Sequence, residues 1–203
     1  MKIYGDIKSG NCYKLKLICA LLDIEHDWIP VDIMQGETRE EGFLALNPVG
    51  QIPICVTDDG ETLTESNAIL YYLSSDSDFW PRERLAQTRV LEWQFFEQYT
   101  HEPNIAVARF IRVYQGMPEE RRLEYEARLK NGYRALDLME RHLDDRRFLV
   151  GDSCTIADIS LFAYTHVCEE GGFDLSSYPA IRAWISNVQQ LPGFVAMPMT
   201  PSS

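Results

Sequence analysis

Along the first third of the chain the apolar positions change period every few residues. Lys2-Ile3-Tyr4 reads as a short strand. Residues 11–23 carry Cys12, Leu15, Cys19 and Leu22 three, four and three apart, the repeat of one helix face. Trp28-Ile29-Pro30-Val31 reads as a second strand, and its proline, lacking an N–H, suits an edge or a strand start. A short helix is predicted over 37–46 and a third strand over 52–57. Asp58-Asp59-Gly60 then turns the chain into a hairpin partner at 61–64. Glu65-Ser66 opens a helix that runs to Leu73. The predicted order is β-α-β-α-β-β-α, with a parallel pair first and an antiparallel hairpin after it.

Ser74-Ser75-Asp76-Ser77-Asp78, followed by Trp80-Pro81, has the composition of a linker. Beyond it no strand pattern survives. Residues 86–114, 119–144, 155–168 and 178–190 read as helices, and Pro103 is expected to kink or interrupt the first. Thr155-Ile156-Ala157-Asp158 has the form of a capping box, with Asp in place of the commoner Glu. The expected organisation is an α/β domain over 1–75, a linker over 76–86 and an all-α helical bundle domain over 87–203.

The 203 residues carry a net charge of −12, unevenly: −9 falls on residues 1–80 and −3 on the remainder. With no basic stripe to neutralise phosphates, nucleic acid is not an expected partner. The five cysteines, Cys12, Cys19, Cys55, Cys154 and Cys168, show neither disulfide-framework nor zinc spacing, so no metal is expected and a reducing cytoplasm is. No secretory leader pattern opens the chain, and no apolar run approaches the ~20 residues of a membrane span, so no membrane association is expected.

Three stretches carry candidate chemistry. The first is Lys8-Ser9-Gly10-Asn11-Cys12-Tyr13-Lys14, at a strand-to-helix corner where a thioredoxin has C-x-x-C and this chain has Ser9-x-x-Cys12. Ser9 by itself reads as a helix N-cap. It has no G-x-S-x-G elbow, and His26, His101, His142 and His166 all lie far from it in sequence. The second is Asn47-Pro48-Val49-Gly50-Gln51-Ile52-Pro53, where a cis Ile52–Pro53 bond would turn the Ile52 backbone toward a ligand. The third is Glu65-Ser66-Asn67-Ala68-Ile69. A helix N-terminus binds an anion, and a carboxylate beside it can hold a cation, so the pair suits a zwitterion such as an amino-acid head group. Ser66 by itself again reads as an N-cap.

Together these stretches resemble the glutathione-binding half of cytosolic glutathione S-transferases, and the resemblance extends over the whole chain through Gly151…Thr155-x-Ala157-Asp158. The corner, with Tyr99-Thr100-His101-Glu102-Pro103-Asn104-Ile105-Ala106, is most similar to bacterial serine-type members. The implied fold is a thioredoxin-like N-terminal domain followed by an all-helical domain. The implied co-substrate is glutathione, and the implied assembly is a homodimer. By position, Ser9 matches the hydroxyl that donates to the glutathione sulfur, and Asn11 a second group near it. Ile52, before Pro53, matches the residue whose backbone pairs with the cysteinyl part, and Glu65 and Ser66 match the holders of the γ-glutamyl ammonium and carboxylate. Serine-type relatives often have histidines where this chain has Thr38 and Gly50; Gln51 or Arg39 stands as the substitute for the glycyl end. The second substrate is expected between the two halves, near Tyr13, Tyr99, Ile105, Arg109 and Phe110.

The implied activity is conjugation of glutathione to a small electrophile, as in detoxification. Ser9 would not bond covalently but would lower the pKa of the ligand thiol. Two alternatives stand beside it: glutathione-dependent disulfide or peroxide reduction at the same site, and a non-catalytic binding protein on the same fold. Cys12 is either a small buried side chain or the partner in a mixed disulfide with glutathione.

Overall fold

The computed structural model describes residues 1–198; the end of the predicted helical segment, 199–203, lies outside the described residues. The chain divides into two compact units, one from Met1 to Ser77 joined by the chain from Pro192 onward, the other from Asp78 to Leu191.

The first unit is a four-stranded mixed sheet in the order β2-β1-β3-β4, formed by β1 (Lys2–Gly5), β2 (Asp27–Pro30), β3 (Ile54–Val56) and β4 (Thr62–Leu63). β1 and β2 are parallel, β3 runs antiparallel to β1, and β3 and β4 form the hairpin. Pro30 thus ends an edge strand, where a missing N–H costs no ladder bond. Side chains alternate across the sheet. Tyr4 and Ile54, paired in register, join Val31, Val56 and Ile52 with Phe43 and Leu46 of α2 (Glu41–Leu46) in one apolar cluster. Ile3 and Cys55, also paired, are fully buried on the other face. Gly5 shares that face and lets α1 (Gly10–Leu21) approach closely: a β-carbon there would stand 2.8 Å from Cys12 Sγ.

The stripe expected on α1 is too narrow. Cys12, Tyr13, Lys14, Leu15, Leu17, Ile18 and Cys19 are all buried, so the helix is covered nearly all round, and Leu22 falls just past its end as the C-cap. Part of that cover is α3 (Ser66–Ser74), and part is the returning chain from Pro192. The Tyr13 hydroxyl donates to the Val195 carbonyl at 2.7 Å, and a β-carbon on Gly193 would meet the Ala20 carbonyl at 2.9 Å.

The second unit is helical: α4 (Arg84–Phe96), α5 (Glu102–Arg109), α6 (Arg122–Leu143), α7 (Ile156–Thr165) and α8 (Pro179–Gln189). The interruption expected near Pro103 takes the form of a π turn. The five residues before α5, Glu97–His101, form a π turn, and the helix continues through α5 into a second π turn at Phe110–Tyr114. A π turn lets the hydrogen-bond ladder skip a register where proline has no N–H to give. The Asn104 side chain donates to the Thr100 carbonyl at 2.7 Å, one turn before it.

The capping box forms as read from the sequence: the Asp158 carboxylate accepts from Thr155 N, and Thr155 Oγ1 accepts from Ala157 N. Asp158 is fully buried and also accepts from Leu149 N at 2.8 Å and Trp184 Nε1 at 2.9 Å. Burial pushes its carboxyl upward, and these donors pull it back. One side chain so fixes the start of α7, the loop before it and α8.

Candidate functional site

The site begins at the corner between β1 and α1. Asp6 builds the turn: its carboxylate accepts from Lys8 N at 2.9 Å and its carbonyl from Ser9 N at 3.0 Å. Ser9 then occupies the N-cap position of α1 with extended backbone, φ −79° and ψ 126°, yet its side chain makes no capping hydrogen bond. The capping role read for Ser9 in isolation is therefore not the one it plays. A hydrogen-bonding contribution from its hydroxyl favours the ionised form of the Cys12 thiol, one turn into the helix.

Cys12 is fully buried, and loss of hydration pushes its thiol up to about 12 despite that hydrogen bond and one at the Asp6 backbone. All five cysteines are free thiols and buried. A thiol so placed remains protonated at neutral pH and presents no nucleophile.

Glu65 holds the N-cap position of α3 with φ 68° and ψ 111°, a backbone region that costs a non-glycine residue about 1–3 kcal/mol. Its side chain does not cap the helix. Ser66 is the first helical residue rather than the cap, and it is buried. Its hydroxyl donates to Asn11 Oδ1 at 3.3 Å, which joins the α1 corner to the first turn of α3. Sequence reasoning missed Lys14: it is fully buried, and its ammonium donates to Ser66 Oγ at 3.2 Å. The one available signal was a lysine on the same helix face as Asn11, three residues on, inside an apolar run.

The loop before β3 has the expected form. The Ile52–Pro53 peptide is cis, and the Asn47 side-chain amide donates to the Gln51 carbonyl at 2.8 Å. Gln51 is exposed, Ile52 half-buried and Pro53 buried. Gly50 has φ 69°, and a β-carbon there would collide with the Arg39 guanidinium, which donates to the Val49 carbonyl at 3.2 Å. Thr38, at one of the two histidine positions, is buried. Arg39 lies against the loop that carries Gln51 and supplies a positive charge at this end.

The residues expected near the second substrate differ widely in exposure. Tyr13 is buried, its hydroxyl committed to Val195. Ile105 is fully buried beside Gly132 of α6. Arg109 is 2% exposed and Nε donates to Glu170 at 2.7 Å, so its charge is matched within the helical unit. Phe110 is half-buried and stacks on Tyr114 with centroids 5.3 Å apart. Tyr99 is 89% exposed. Six residues separate Tyr99 from Ile105, which places them on different helix faces.

Comparison with known proteins matches both units. Residues 9–76 fit the family model for the glutathione S-transferase N-terminal domain, and 102–192 that for the C-terminal domain. A crystal structure of a glutathione S-transferase from Pseudomonas fluorescens Pf-5 is 57% identical, covers 97% of this chain and 98% of its own, and superposes with a TM-score of 0.95. The chain belongs to the glutathione S-transferase family. Glutathione S-transferase 2 of Anopheles gambiae is 30% identical over 91% of this chain and 88% of its own length. A family-fold structure of maleylacetoacetate isomerase from Methylobacterium extorquens AM1, with bound malonate and GSH, is 27% identical over 95% of this chain and 94% of that one, with a TM-score of 0.80. Within a glutathione S-transferase, the α1 corner, the cis-proline loop and the start of α3 are three separate pieces of one α/β unit. No helix among the described residues is long and apolar enough to cross a membrane, and those residues contain no cluster of metal-ligating side chains.

Proposed function

We propose that this protein is a glutathione transferase in which Ser9 stabilises the glutathione thiolate for attack on a small electrophile. The observation that carries the proposal is the state of Ser9: it holds the N-cap position at the head of α1, and its side chain makes no capping hydrogen bond with that helix. A free thiol has a pKa of about 8.5, so only a few per cent is thiolate at neutral pH. A hydroxyl donating to sulfur at the positive end of a helix favours the anion. Asn11 is the second polar group at this corner. The Ile52 backbone receives the cysteinyl part, with Gln51 and Pro53 framing it. Glu65 holds the γ-glutamyl ammonium, Ser66 and the α3 N–H groups hold its carboxylate, and Arg39 takes the glycyl carboxylate. The GSH bound to the maleylacetoacetate isomerase relative supports the choice of ligand.

For the electrophile the proposal rests on Phe110, since Tyr13, Ile105 and Arg109 are buried and partnered. Tyr99 fits a different role. Leu91, Phe95 and Tyr99 recur four residues apart and are 41%, 70% and 89% exposed, an apolar stripe that supports assembly as a homodimer. The location in this reading is the cytoplasm, consistent with five reduced thiols.

The test is product analysis by mass spectrometry with glutathione and either an aryl halide or a dialkyl disulfide. A thioether adduct, lost to a large extent in Ser9→Ala, supports conjugation. Glutathione disulfide together with the released alkyl thiol, and no thioether, points to reduction at the same site. Neither product, with no glutathione binding, overturns the proposal and leaves the fold in use as a binding module.

A further inference from the structure

Lys14 places a cation at the start of α3. Its Nζ donates to Ser66 Oγ at 3.2 Å and to Asn67 Oδ1 at 3.4 Å, and both acceptors belong to the first turn of that helix. Lysine is among the residues least often fully buried, yet here no part of it reaches solvent. The first N–H groups of a helix have no acceptor inside it, and they carry the positive end of its dipole. The ammonium and the helix end therefore contribute field of the same sign at one place, the place where Ser66 stands.

We infer that Lys14 is a positioning residue that sets Ser66, and the charge beneath it, for the α-carboxylate of the γ-glutamyl group; the inference rests on the glutathione reading above. An ammonium has donors only, so it occupies a lone pair of Ser66 Oγ and leaves the hydroxyl proton to point elsewhere. In the structure that proton goes to Asn11 Oδ1 over 3.3 Å, a long bond to a neutral acceptor. A carboxylate at the head of α3 is the stronger acceptor and takes the proton in its place. A hydroxyl that already accepts from a cation donates more strongly, and the path from Nζ to the ligand runs through buried protein, where charge is poorly screened. Lys14 touches no reacting atom, so its effect belongs to binding and not to the chemical step.

The test compares two ligands on two proteins: glutathione, and glutathione with that α-carboxylate converted to the amide, each titrated into wild type and Lys14→Met. Methionine keeps the length and apolar stem of lysine and removes the charge. The expected result is that Lys14→Met binds glutathione about a hundredfold more weakly, the scale of one charge acting across about 6 Å of protein. Its affinity for the amide and kcat at saturating glutathione stay unchanged. Equal losses for both ligands overturn the inference and make Lys14 a packing residue. A variant that fails to fold is replaced by nitrogen-15 NMR of the wild-type lysine side chains. There the Nζ resonance of Lys14 shifts with glutathione and not with the amide, and equal shifts again overturn the inference. Wild type that binds no glutathione overturns the parent reading as well, whereas binding without this ligand discrimination removes Lys14 alone.

Discussion

The Ser66 hydroxyl donates to Asn11 Oδ1, so the corner proposed to hold the glutathione sulfur and the helix end proposed to hold its γ-glutamyl group share a hydrogen bond. Residues joined in one network do not contribute independently. Asn11→Ala and Ser66→Ala should each weaken glutathione binding, and the double variant should lose more than the two losses summed, because either single variant already spares the Ser66–Asn11 bond that the ligand carboxylate displaces. A coupling of about 1 kcal/mol is expected for a single buried hydrogen bond. Titration calorimetry of the four proteins gives the cycle, and strict additivity contradicts the link.

Cys12 should be chemically silent. Its thiol is pushed up to about 12 by burial, and Cys19, Cys55, Cys154 and Cys168 are buried as well. The folded protein should resist alkylation at neutral pH, and Cys12→Ala should retain transferase activity with a stability loss on the order of 1 kcal/mol for the vacated volume. Rapid labelling of Cys12 in the native state, or loss of activity in Cys12→Ala with the fold intact, would move the chemistry to this sulfur.

His166 makes the helical unit acid-sensitive. Its ring stacks on Phe162 at 4.3 Å, and Nδ1 donates to the Phe162 carbonyl at 2.7 Å. Burial, with a contribution from the Arg109 charge, lowers its pKa from 6.5 to about 4. Glu170 and the backbone bond act the other way without overcoming this. The folded state keeps the ring neutral where the unfolded chain takes up a proton. The stability His166 contributes is therefore complete above pH 6.5 and is lost as the pH falls from 6.5 toward 4, on the order of 3 kcal/mol in all. Urea midpoints at neutral and mildly acid pH should separate for wild type and draw together for His166→Gln. An equal separation in both proteins would assign the acid sensitivity elsewhere.

Phe95 is 70% exposed on α4, in line with Leu91 and Tyr99. A stripe of this kind on a free surface marks an association site. Wild type should scatter light as a dimer, and Phe95→Glu should give a monomer with the same circular dichroism. A wild-type monomer, or a Phe95→Glu dimer, would remove this face from the assembly.

The fold was legible where periodicity and turn chemistry agree. The hairpin at Asp58-Asp59-Gly60, the edge position of Pro30 and the Thr155–Asp158 capping box each follow from a local rule, and each forms. Less legible were features decided by tertiary contact. The α1 stripe looked one-sided because cover from α3 and from the chain beyond Pro192 lies far away in sequence. Pro103 is expected to kink or interrupt its helix, and a π turn does separate α4 from α5 just before it, but that the interruption is a π turn leaves no mark on residue spacing. Ser9 and Ser66 both looked like caps; a short polar side chain before an apolar run is ambiguous until the backbone shows whether its oxygen turns back to the helix. In the sequence Arg39 is a candidate for the glycyl end and Lys14 has no assigned role; the folded chain brings Arg39 to the Val49–Gly50 loop and Lys14 to Ser66.

The central claim is that Ser9 stabilises a bound thiolate. Titration calorimetry of glutathione in buffers of different ionisation enthalpy, on wild type and Ser9→Ala, tests it most directly because it counts protons. Wild type should release close to one proton per glutathione bound near neutral pH, and Ser9→Ala should bind with little release. Equal release by both proteins, or binding by wild type with none, would contradict the account.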